Sequence, residues 1–318
     1  MEKSYLFAAR YPFSTRAKRI IEISKLAPNS QLIEKGLERI KSALRNESLK
    51  FSSVSDSDLL NEIGIYACAR MILSNLNNSY LINKFSVSQA KRAYSYLNQD
   101  SDENIAELLD EFGFKLKSNR DEILIHFSTY LKYTPGSIEY RLIGRNIAKG
   151  YVSINKHELL RLLQEAIRIK ISQVPKIKKI SPEIEAAGKS LVIELPKITP
   201  EKLSFKKGDN PPCIEALLID LKKHLNLNHQ ARWILAVYLI KKNTALEDIL
   251  ELFMNFPDYK EKIAKYQIEH AKKQGYMVPS CATIRGYGLC VSNCPVKNPM
   301  QWKKVLYEKY GKKVDLDE

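Results

Sequence analysis

The sequence predicts a mainly α-helical protein, with a helical N-terminal domain that includes a small α/β unit and a second helical domain after it. Apolar residues recur at helical spacing over most of the 318 residues. Six of the 13 prolines lie between residues 174 and 212, where proline ends helices and removes backbone donors. We therefore expect one domain over residues 1–200, a connector over 201–210 and a second domain over 211–318.

Apolar spacing and capping residues predict the helices of the N-terminal domain. Over residues 61–75, Ile65, Cys68 and Met71 share one face, so we expect Cys68 to be a buried small hydrophobe. Ser101 can cap the helix that follows it. Further helices are predicted over residues 86–97, 101–112 and 157–171, a short β-like run over 150–154, and a candidate strand over 192–195.

Three helices are predicted at the start of the C-terminal domain, over residues 213–225, 230–241 and 245–253. Thr244 is expected to cap the third helix, with Glu247 completing a capping box. Trp233, in the middle helix, is expected in the core. Residues 276–301 are rich in glycine and proline, which predicts a loop region.

The charge balance favours polyanionic partners. The chain carries 51 Lys and Arg against 36 Asp and Glu, a formal net charge of +15 spread over both predicted domains. A positive field attracts nucleic acid, although an ordinary basic surface has the same composition. The longest clean apolar run, residues 233–240, is far shorter than the about 20 residues of a membrane span, and the N-terminus lacks the apolar stretch of a signal peptide. We expect a cytoplasmic protein without a membrane partner.

Four of the five cysteines form a pattern typical of a metal site. Their spacing is Cys213-x67-Cys281-x8-Cys290-x3-Cys294, followed by proline. Four thiolates can bind Zn²⁺ or an iron–sulfur cluster, and structural zinc prefers two tight Cys-x2-4-Cys pairs. Only the last two cysteines are that close. The scattered ligands and the final Cys-Pro favour a 4Fe–4S cluster over zinc, and four unliganded thiols are the remaining alternative.

One alternative function is an iron–sulfur nuclease or a helicase-accessory protein acting on DNA. Such a nuclease needs an acidic residue and a Glu-x-Lys on adjacent strands, whereas Glu194 is separated from Lys197 by Leu-Pro. The two Asp-x-Asp pairs, which begin at Asp56 and at Asp315, lie in a serine-rich stretch and in the C-terminal tail. Neither is placed like a two-metal site, so we expect no catalytic residue in this chain. A zinc-stapled nucleic-acid-binding protein is a further alternative.

The motifs around the cysteines resemble a known family. They are PSC ending at Cys281, GLC ending at Cys290, CP beginning at Cys294 and PPCI around Cys213. Between them lie HQAR, from His229 to Arg232, and YQIEH, from Tyr266 to His270. In this order they resemble the C-terminal iron–sulfur domain of the large subunit of archaeal and eukaryotic DNA primase, in its archaeal form. The N-terminal half resembles the family more loosely, through YPF at 11–13, FSTYLKY at 127–133 and GYV at 150–152.

This resemblance implies a non-catalytic regulatory subunit of a heterodimer that makes RNA primers in DNA replication. In the family, bond formation is catalysed by the small subunit, which docks on the helical N-terminal domain of the large subunit. The iron–sulfur domain binds template DNA and the 5′-triphosphate of the initiating nucleotide, and so supports initiation and controls primer length. The implied partners are the small subunit, single-stranded DNA template, an RNA/DNA primer and a nucleoside triphosphate, and the implied cofactor is a 4Fe–4S cluster on the four cysteines.

The resemblance also assigns nucleotide- or template-binding residues, which are His229, Arg232, Tyr266, His270 and Arg285. His229 and Arg232 are three residues apart, and Tyr266 and His270 are four apart, so each pair shares a helix face. Basic residues nearby in sequence are Lys241, Lys262, Lys265, Lys272 and Lys273.

Two further expectations concern positions outside this set. Eukaryotic members have further basic residues in these helices, whereas here Asn228 precedes His229, where a second arginine would help to bind phosphate. Tyr151, Val152 and Ile154 are candidates for the docking surface of the small subunit, with an ordinary edge strand as the alternative.

Overall fold

The computed structural model describes residues 2–47, 55–119, 122–136, 138–175, 177, 180–194 and 208–303. The chain divides into two units, the first formed by Met1–Pro135 with Glu139–Leu195 and the second by Gly136–Ile138 with Pro196–Glu318. The described structure is mainly helical with one small sheet, which confirms that part of the predicted fold class. Among the described residues, no helix has the length and apolar character needed to span a membrane.

The first unit is built on helices and one four-stranded sheet. Its helices are α1 (Glu2–Arg10), α2 (Thr15–Ser24), α3 (Ser30–Leu44), α4 (Asp56–Leu76), α5 (Ser79–Leu97), α6 (Asp102–Glu111), α7 (Phe127–Tyr133), α8 (Lys156–Ser172) and α9 (Pro182–Glu194). Its strands are β1 (Leu116–Asn119), β2 (Glu122–His126), β3 (Ile147–Ala148) and β4 (Tyr151–Ile154). Single 3-10 turns lie at Ile138–Tyr140 and Leu142–Gly144.

Local sequence signals account for most of these helices. Ser101 caps α6 by accepting a hydrogen bond from the backbone N–H of Asn104, as predicted. Asn155 and Glu158 form a capping box at the start of α8, whose leucines are buried in the core. Cys68 is fully buried in α4, as expected, and burial raises the pKa of its thiol to about 11.

The sheet has the strand order β1-β2-β4-β3 with antiparallel neighbours, so β4 is an interior strand. Ile125 lies opposite Val152, and both side chains are buried. Because side chains alternate along a strand, Tyr151 and its partner His126 face the other side, where both are half-exposed. Val152 and Ile154 are thus part of the unit's own core, and the prediction that they form a docking surface is wrong.

Helices α3 and α4 approach each other closely at Gly36. A Cβ atom at this position would lie 2.9 Å from the backbone nitrogen of Ala69 and 3.1 Å from the carbonyl oxygen of Ile65. Backbone atoms in a packed helix cannot move aside as the end of a flexible side chain can. The glycine therefore sets the separation of these two helices.

A buried ion-pair network joins α3, α4 and α5. Glu62 Oε1 lies 2.6 Å from Arg39 Nη1 and 2.7 Å from Arg92 Nη1. The Arg39 guanidinium also donates to Gln89 Oε1 through Nε and Nη2. Burial, followed by repulsion from Arg92, lowers the pKa of Arg39 to about 10. Glu62 is the carboxylate that both guanidinium groups contact.

The predicted strand over 192–195 is wrong for residues 192–194, which form the end of α9, and Leu195 lies outside the described residues. Pro182 occupies the first helical position, where its missing N–H is not needed, and Ser181 Oγ accepts from the N–H of Ile184. The β-branched residues at the end follow an alanine-rich start and continue the helix. Glu194 is therefore on a helix rather than on the strand that a nuclease would require.

The second unit is helical in its described part. Its helices are α10 (Pro212–Lys222), α11 (His229–Lys241), α12 (Leu246–Phe253), α13 (Glu261–Lys273) and α14 (Cys281–Gly286), and a 3-10 turn lies at Pro299–Gln301. The predicted loop region thus contains one short helix. The Trp302 indole donates to the carbonyl oxygen of Gly208 at 3.1 Å, which fixes the entry of the chain into α10.

Two boundaries in this unit differ from the predicted ones. Helix α10 ends at Lys222 because His224 is left-handed, with φ of 55°, and the N–H of Leu225 bonds back to Asp220. Thr244 does not cap α12, since its backbone N–H bonds to Leu239 in the closing turn of α11. The N-cap of α12 is Ala245, which has no side-chain cap.

Candidate functional site

Four cysteines from distant parts of the sequence line one pocket in the second unit. Cys213 is buried in the first turn of α10, Cys281 begins α14, and Cys290 and Cys294 follow in the loop after α14. The space between the lining atoms is about 290 Å³, part of it open to solvent. The other lining residues are mostly apolar and include Pro211, Pro212, Ile284, Val296 and Pro299.

Hydrogen bonds hold the cysteine loop in place. Ser280 caps α14 by accepting from the N–H of Thr283, and the N–H of Cys281 donates to Lys297 O at 2.8 Å. Asn298 Nδ2 donates to Val278 O at 2.9 Å, so the segments before and after the cysteines are tied together. The pocket wall is thus fixed by backbone contacts on both sides.

Burial and mutual proximity disfavour ionisation of these thiols. Burial, followed by the charges of the nearby Cys290, Cys281 and Cys294, raises the pKa of Cys213 to about 12. The pKa values of Cys281 and Cys294 are also raised, first by burial, while Arg285 opposes the shift at both. Four thiolates in this pocket would therefore need a cationic partner among them.

No three His, Cys, Asp or Glu side chains in the described part of the chain converge tightly enough to bind a single metal ion. The four cysteines instead surround the pocket. Four sulfur donors therefore line one pocket, and this donor set fits an iron–sulfur cluster chemically.

A row of rings lies on the surface formed by α11, α13 and the loop after α13. Tyr266 stacks on His270 with centroids 5.9 Å apart, and the His270 ring lies 6.0 Å from that of Tyr276. Tyr276 in turn meets the edge of Trp233 at 6.1 Å. We call these four residues the aromatic ladder. Tyr266, at its outer end, is 68% exposed, which is unusual for a large ring.

The structure brings Tyr266 and His270 together, as their spacing predicted. His229 and Arg232 have different surroundings. His229 is the exposed first residue of α11, and Asn228 before it is the N-cap, accepting from the N–H of Ala231 at 2.8 Å. The helix start thus explains the asparagine at this position. No ring contact or hydrogen bond among the described residues joins His229 to the aromatic ladder.

Arg232 is held by its own unit. Its Nη2 lies 2.6 Å from Asp258 Oδ1, its Nε donates to Leu227 O at 2.8 Å, and its guanidinium covers the Phe256 ring at 4.5 Å. These contacts fix the first turn of α11 against the segment after α12. A phosphate bound by Arg232 would compete with the Asp258 carboxylate.

Positive charge surrounds the ladder and the pocket. Arg285 is exposed on α14 and is close enough to Cys281 and Cys294 to oppose the rise in their pKa values. Lys241 Nζ donates to Gly275 O at 3.3 Å, next to Tyr276. The other lysines predicted from sequence are exposed on α13 and are Lys262, Lys265, Lys272 and Lys273.

The acidic pairs considered for catalysis are not placed as a metal site. Asp56 and Asp58 lie in the first turn of α4, where Asp58 accepts from the Ser55 hydroxyl at 2.8 Å. The pair beginning at Asp315 lies outside the described residues.

Sequence reasoning missed part of the ladder. Tyr276 had no motif of its own, although it follows Gly275, whose positive φ of 63° ends the helical segment and turns the chain. Trp233, expected in the core, is only partly buried and contacts Tyr276.

The class of protein follows from comparison with known families. The family model that describes the C-terminal domain of the large subunit of eukaryotic and archaeal DNA primase matches residues 203–317. This segment contains all four pocket cysteines and the aromatic ladder.

Individual relatives extend the similarity over most of the chain. The DNA primase large subunit PriL of Methanococcoides burtonii is 30% identical over 315 residues, covering 89% of this chain and 86% of that protein. That of Methanosarcina acetivorans is 30% identical over 271 residues, with 81% and 73% covered. That of Methanosarcina mazei is 28% identical over 323 residues, with 95% and 87% covered. The chain therefore belongs to the family of archaeal and eukaryotic DNA primase large subunits.

Proposed function

We propose that this chain is the non-catalytic regulatory large subunit of a DNA primase, with a 4Fe–4S cluster held by Cys213, Cys281, Cys290 and Cys294. The observation that carries the proposal is the convergence of these four cysteines on one pocket within the segment that matches the family. When bound, such a cluster supplies iron that neutralises the four thiolates and can exchange one electron. The chain's own residues would bury it and limit its access to water.

A cluster suits this pocket better than zinc. Structural zinc is usually gripped by two tight pairs of ligands, whereas these ligands arrive from two helix starts and a loop.

The cofactor is tested by a visible spectrum of anaerobically purified full-length chain, with iron, sulfide and zinc assayed on the same sample. We expect a broad visible band and about four irons per chain. Cys290→Ser should lose iron, while Cys68→Ala, the matched control at a buried cysteine outside the pocket, should retain it. A colourless protein with one zinc and no sulfide would refute the cluster.

The aromatic ladder is proposed to bind the single-stranded template. Exposed rings can stack on bases without sequence preference, and the surrounding lysines can track phosphates. Loss of one stacking platform removes about 1–3 kcal/mol of binding. Tyr266→Ala should therefore weaken binding of a fluorescent oligonucleotide by roughly 5- to 150-fold. High salt should weaken the phosphate contacts of both proteins and leave this ratio nearly unchanged.

The matched control for this measurement is Glu269→Gln, an exposed change on the same helix that removes a negative charge. It should leave binding unchanged or slightly stronger. Equal affinity of native chain and Tyr266→Ala would contradict the role of the ladder.

The initiating nucleoside triphosphate is proposed to bind through His229, Arg232, His270 and Arg285. Arginine binds phosphate oxygens in a bidentate way, and exposed histidines add hydrogen-bond donors. If Arg232 takes part, Asp258→Asn should strengthen triphosphate binding in titration calorimetry, because the competing carboxylate is removed. Unchanged affinity in both Asp258→Asn and Arg232→Lys would remove Arg232 from the site.

The small catalytic subunit is proposed to dock on the outer face of the four-stranded sheet. This face carries Leu124, His126 and Tyr151, and Phe127 and Leu131 are exposed beside it on α7. Exposed apolar side chains at one place are typical of a protein interface. Of the three docking candidates from the sequence, Tyr151 remains in this proposal.

The docking face is tested by co-elution with the purified small subunit. Leu131→Glu should abolish or strongly weaken the heterodimer. Ile23→Glu is the matched control, since Ile23 is an exposed isoleucine on α2 of the same unit. A heterodimer unaffected by Leu131→Glu would place the interface elsewhere.

The regulatory role is proposed to act through initiation and primer length. A heterodimer that contains Tyr266→Ala should start fewer RNA primers and give an altered length distribution, while extension of a supplied primer continues. Mg²⁺-dependent cleavage of DNA by the isolated chain would instead favour the nuclease alternative.

A further inference from the structure

Asn210 is a buried amide whose donor group has no hydrogen-bond partner within the described residues. Its side chain is 3% exposed, and its Nδ2 atom is without a partner there, while Oδ1 accepts from the hydroxyl of Tyr238 at 3.0 Å. A buried donor without a partner has an energetic cost of about 1–3 kcal/mol. Buried amides of this kind are usually satisfied by a bound water, an ion or a ligand.

Asn210 is close in sequence to residues that line the cysteine pocket. Asn210 lies three residues before Cys213, and the two residues between them, Pro211 and Pro212, line the pocket. The segment is pinned on its other side, because the N–H of Gly208 donates to Glu215 Oε1 at 2.6 Å and its carbonyl accepts from Trp302.

Tyr238 sets the orientation of the amide. Its ring is fully buried in α11, and its hydroxyl hydrogen is directed at Asn210 Oδ1. With Oδ1 occupied, Nδ2 is the end of the amide left for another partner. The hydroxyl is also near Cys213, since burial, followed by the Cys213 charge, raises the pKa of Tyr238.

We propose that Asn210, oriented by Tyr238, donates a hydrogen bond from Nδ2 to a sulfur of the cluster at its Cys213 corner. This inference rests on the cluster of the proposed function. Hydrogen bonds to cluster sulfurs stabilise the more negative, reduced state and so raise the reduction potential. Asn210 is thus a positioning residue that tunes the cluster rather than a ligand to it.

The test is a reductive titration of the full-length, iron-loaded chain followed by its visible spectrum. Asn210→Leu keeps the branched arrangement of four side-chain heavy atoms and removes the donor. We expect the ratio of reduced to oxidised cluster at a fixed potential to fall about tenfold, or ~59 mV for one electron. Tyr238→Phe should shift the ratio in the same direction by less, because the amide remains and loses only its orientation.

Asn255→Leu is the matched control. Asn255 is equally buried in the same unit, in the segment after α12, and its Nδ2 already has a partner, because it donates to Leu252 O at 2.9 Å. It should lower stability without changing the reduction potential. A potential in Asn210→Leu equal to that of the native chain would overturn the inference.

A spectroscopic readout covers the case in which Asn210→Leu does not retain iron. After exchange into D₂O, electron–nuclear double resonance of the reduced native chain should detect a deuteron coupled to the cluster, and this signal should weaken in Tyr238→Phe. An identical signal and potential in Tyr238→Phe would overturn the inference. Absence of iron from the native chain would instead refute the proposed cluster itself.

Discussion

Removal of the Glu62 charge should expose how much the first unit depends on its buried ion-pair network. The side chains of Arg39 and Arg92 are 2% and 9% exposed, and that of Glu62 is 12% exposed. In Glu62→Gln the volume is kept, but two guanidinium groups that already repel each other lose their shared carboxylate.

The expected loss follows from the cost of an uncompensated buried charge. Breaking a buried ion pair by removing one partner costs about 3–5 kcal/mol. The glutamine carbonyl can still accept one hydrogen bond, which places the expected loss near the lower end, at about 3 kcal/mol. This is a large part of the ~5–15 kcal/mol that stabilises an ordinary domain.

The assay is urea unfolding of the full-length chain at pH 7, followed by circular dichroism, with the m-value compared between variants. Glu38→Gln is the matched control, because Glu38 pairs with Arg45 on the surface of the same unit, where both side chains are about half exposed. Exposed pairs contribute about 0–1 kcal/mol. Equal losses of stability in Glu62→Gln and Glu38→Gln would show that the buried network contributes no more than an exposed ion pair.

Three further outcomes are expected. Gly36→Ala should destabilise the first unit by about 1 kcal/mol, because overpacking against the α4 backbone exceeds the gain in helix propensity. Gly144→Ala is the control in the same denaturation series, since a Cβ atom at Gly144 would have no atom within 4 Å. Burial raises the pKa of Asp100, but hydrogen bonds from Asn104, Tyr11 and Ser101 outweigh this effect and leave the pKa lowered. The stability that Asp100 contributes should therefore be present above its ordinary pKa of 3.8 and be lost as the pH falls through the lower folded value. Asp100→Asn should reduce this loss of stability at acid pH, measured as urea midpoints over a pH series. Cys290→Ser should make residues 211–299 sensitive to protease while the first unit stays resistant, and a resistant second unit in this variant would contradict the structural role of the thiols.

The elements that sequence predicted well are those with strong local signals. Helix α8 combines a capping box with buried leucines, and α6 begins after the predicted serine cap. Helix α9 was missed because its β-branched end resembles a strand when read without the alanine-rich start that precedes it. The Thr244 cap failed because the backbone N–H of Thr244 closes the end of α11 on Leu239 O, and α12 begins one residue later than predicted, after Ala245.

The candidate site was predictable where residue type alone carries the chemistry. Cysteine spacing selected the four residues that line the pocket, because thiols have few other reasons to cluster in a loop. Tyr276 was not predictable, since its contacts with Trp233 and His270 arise only when α11 and α13 pack. The Asn210–Tyr238 hydrogen bond joins residues 28 apart, and no local pattern indicates such a contact.

The order of the four cysteines along the chain has a consequence for synthesis on the ribosome. Cys213 emerges first, with α10 to α13 behind it, and the other three thiols emerge only near the end. A chain interrupted after Gly275 retains most of the helices of the second unit but only one wall of the pocket. All four pocket cysteines are thus present only on chains translated through Cys294, and a nascent chain stalled after Gly275 has one of the four.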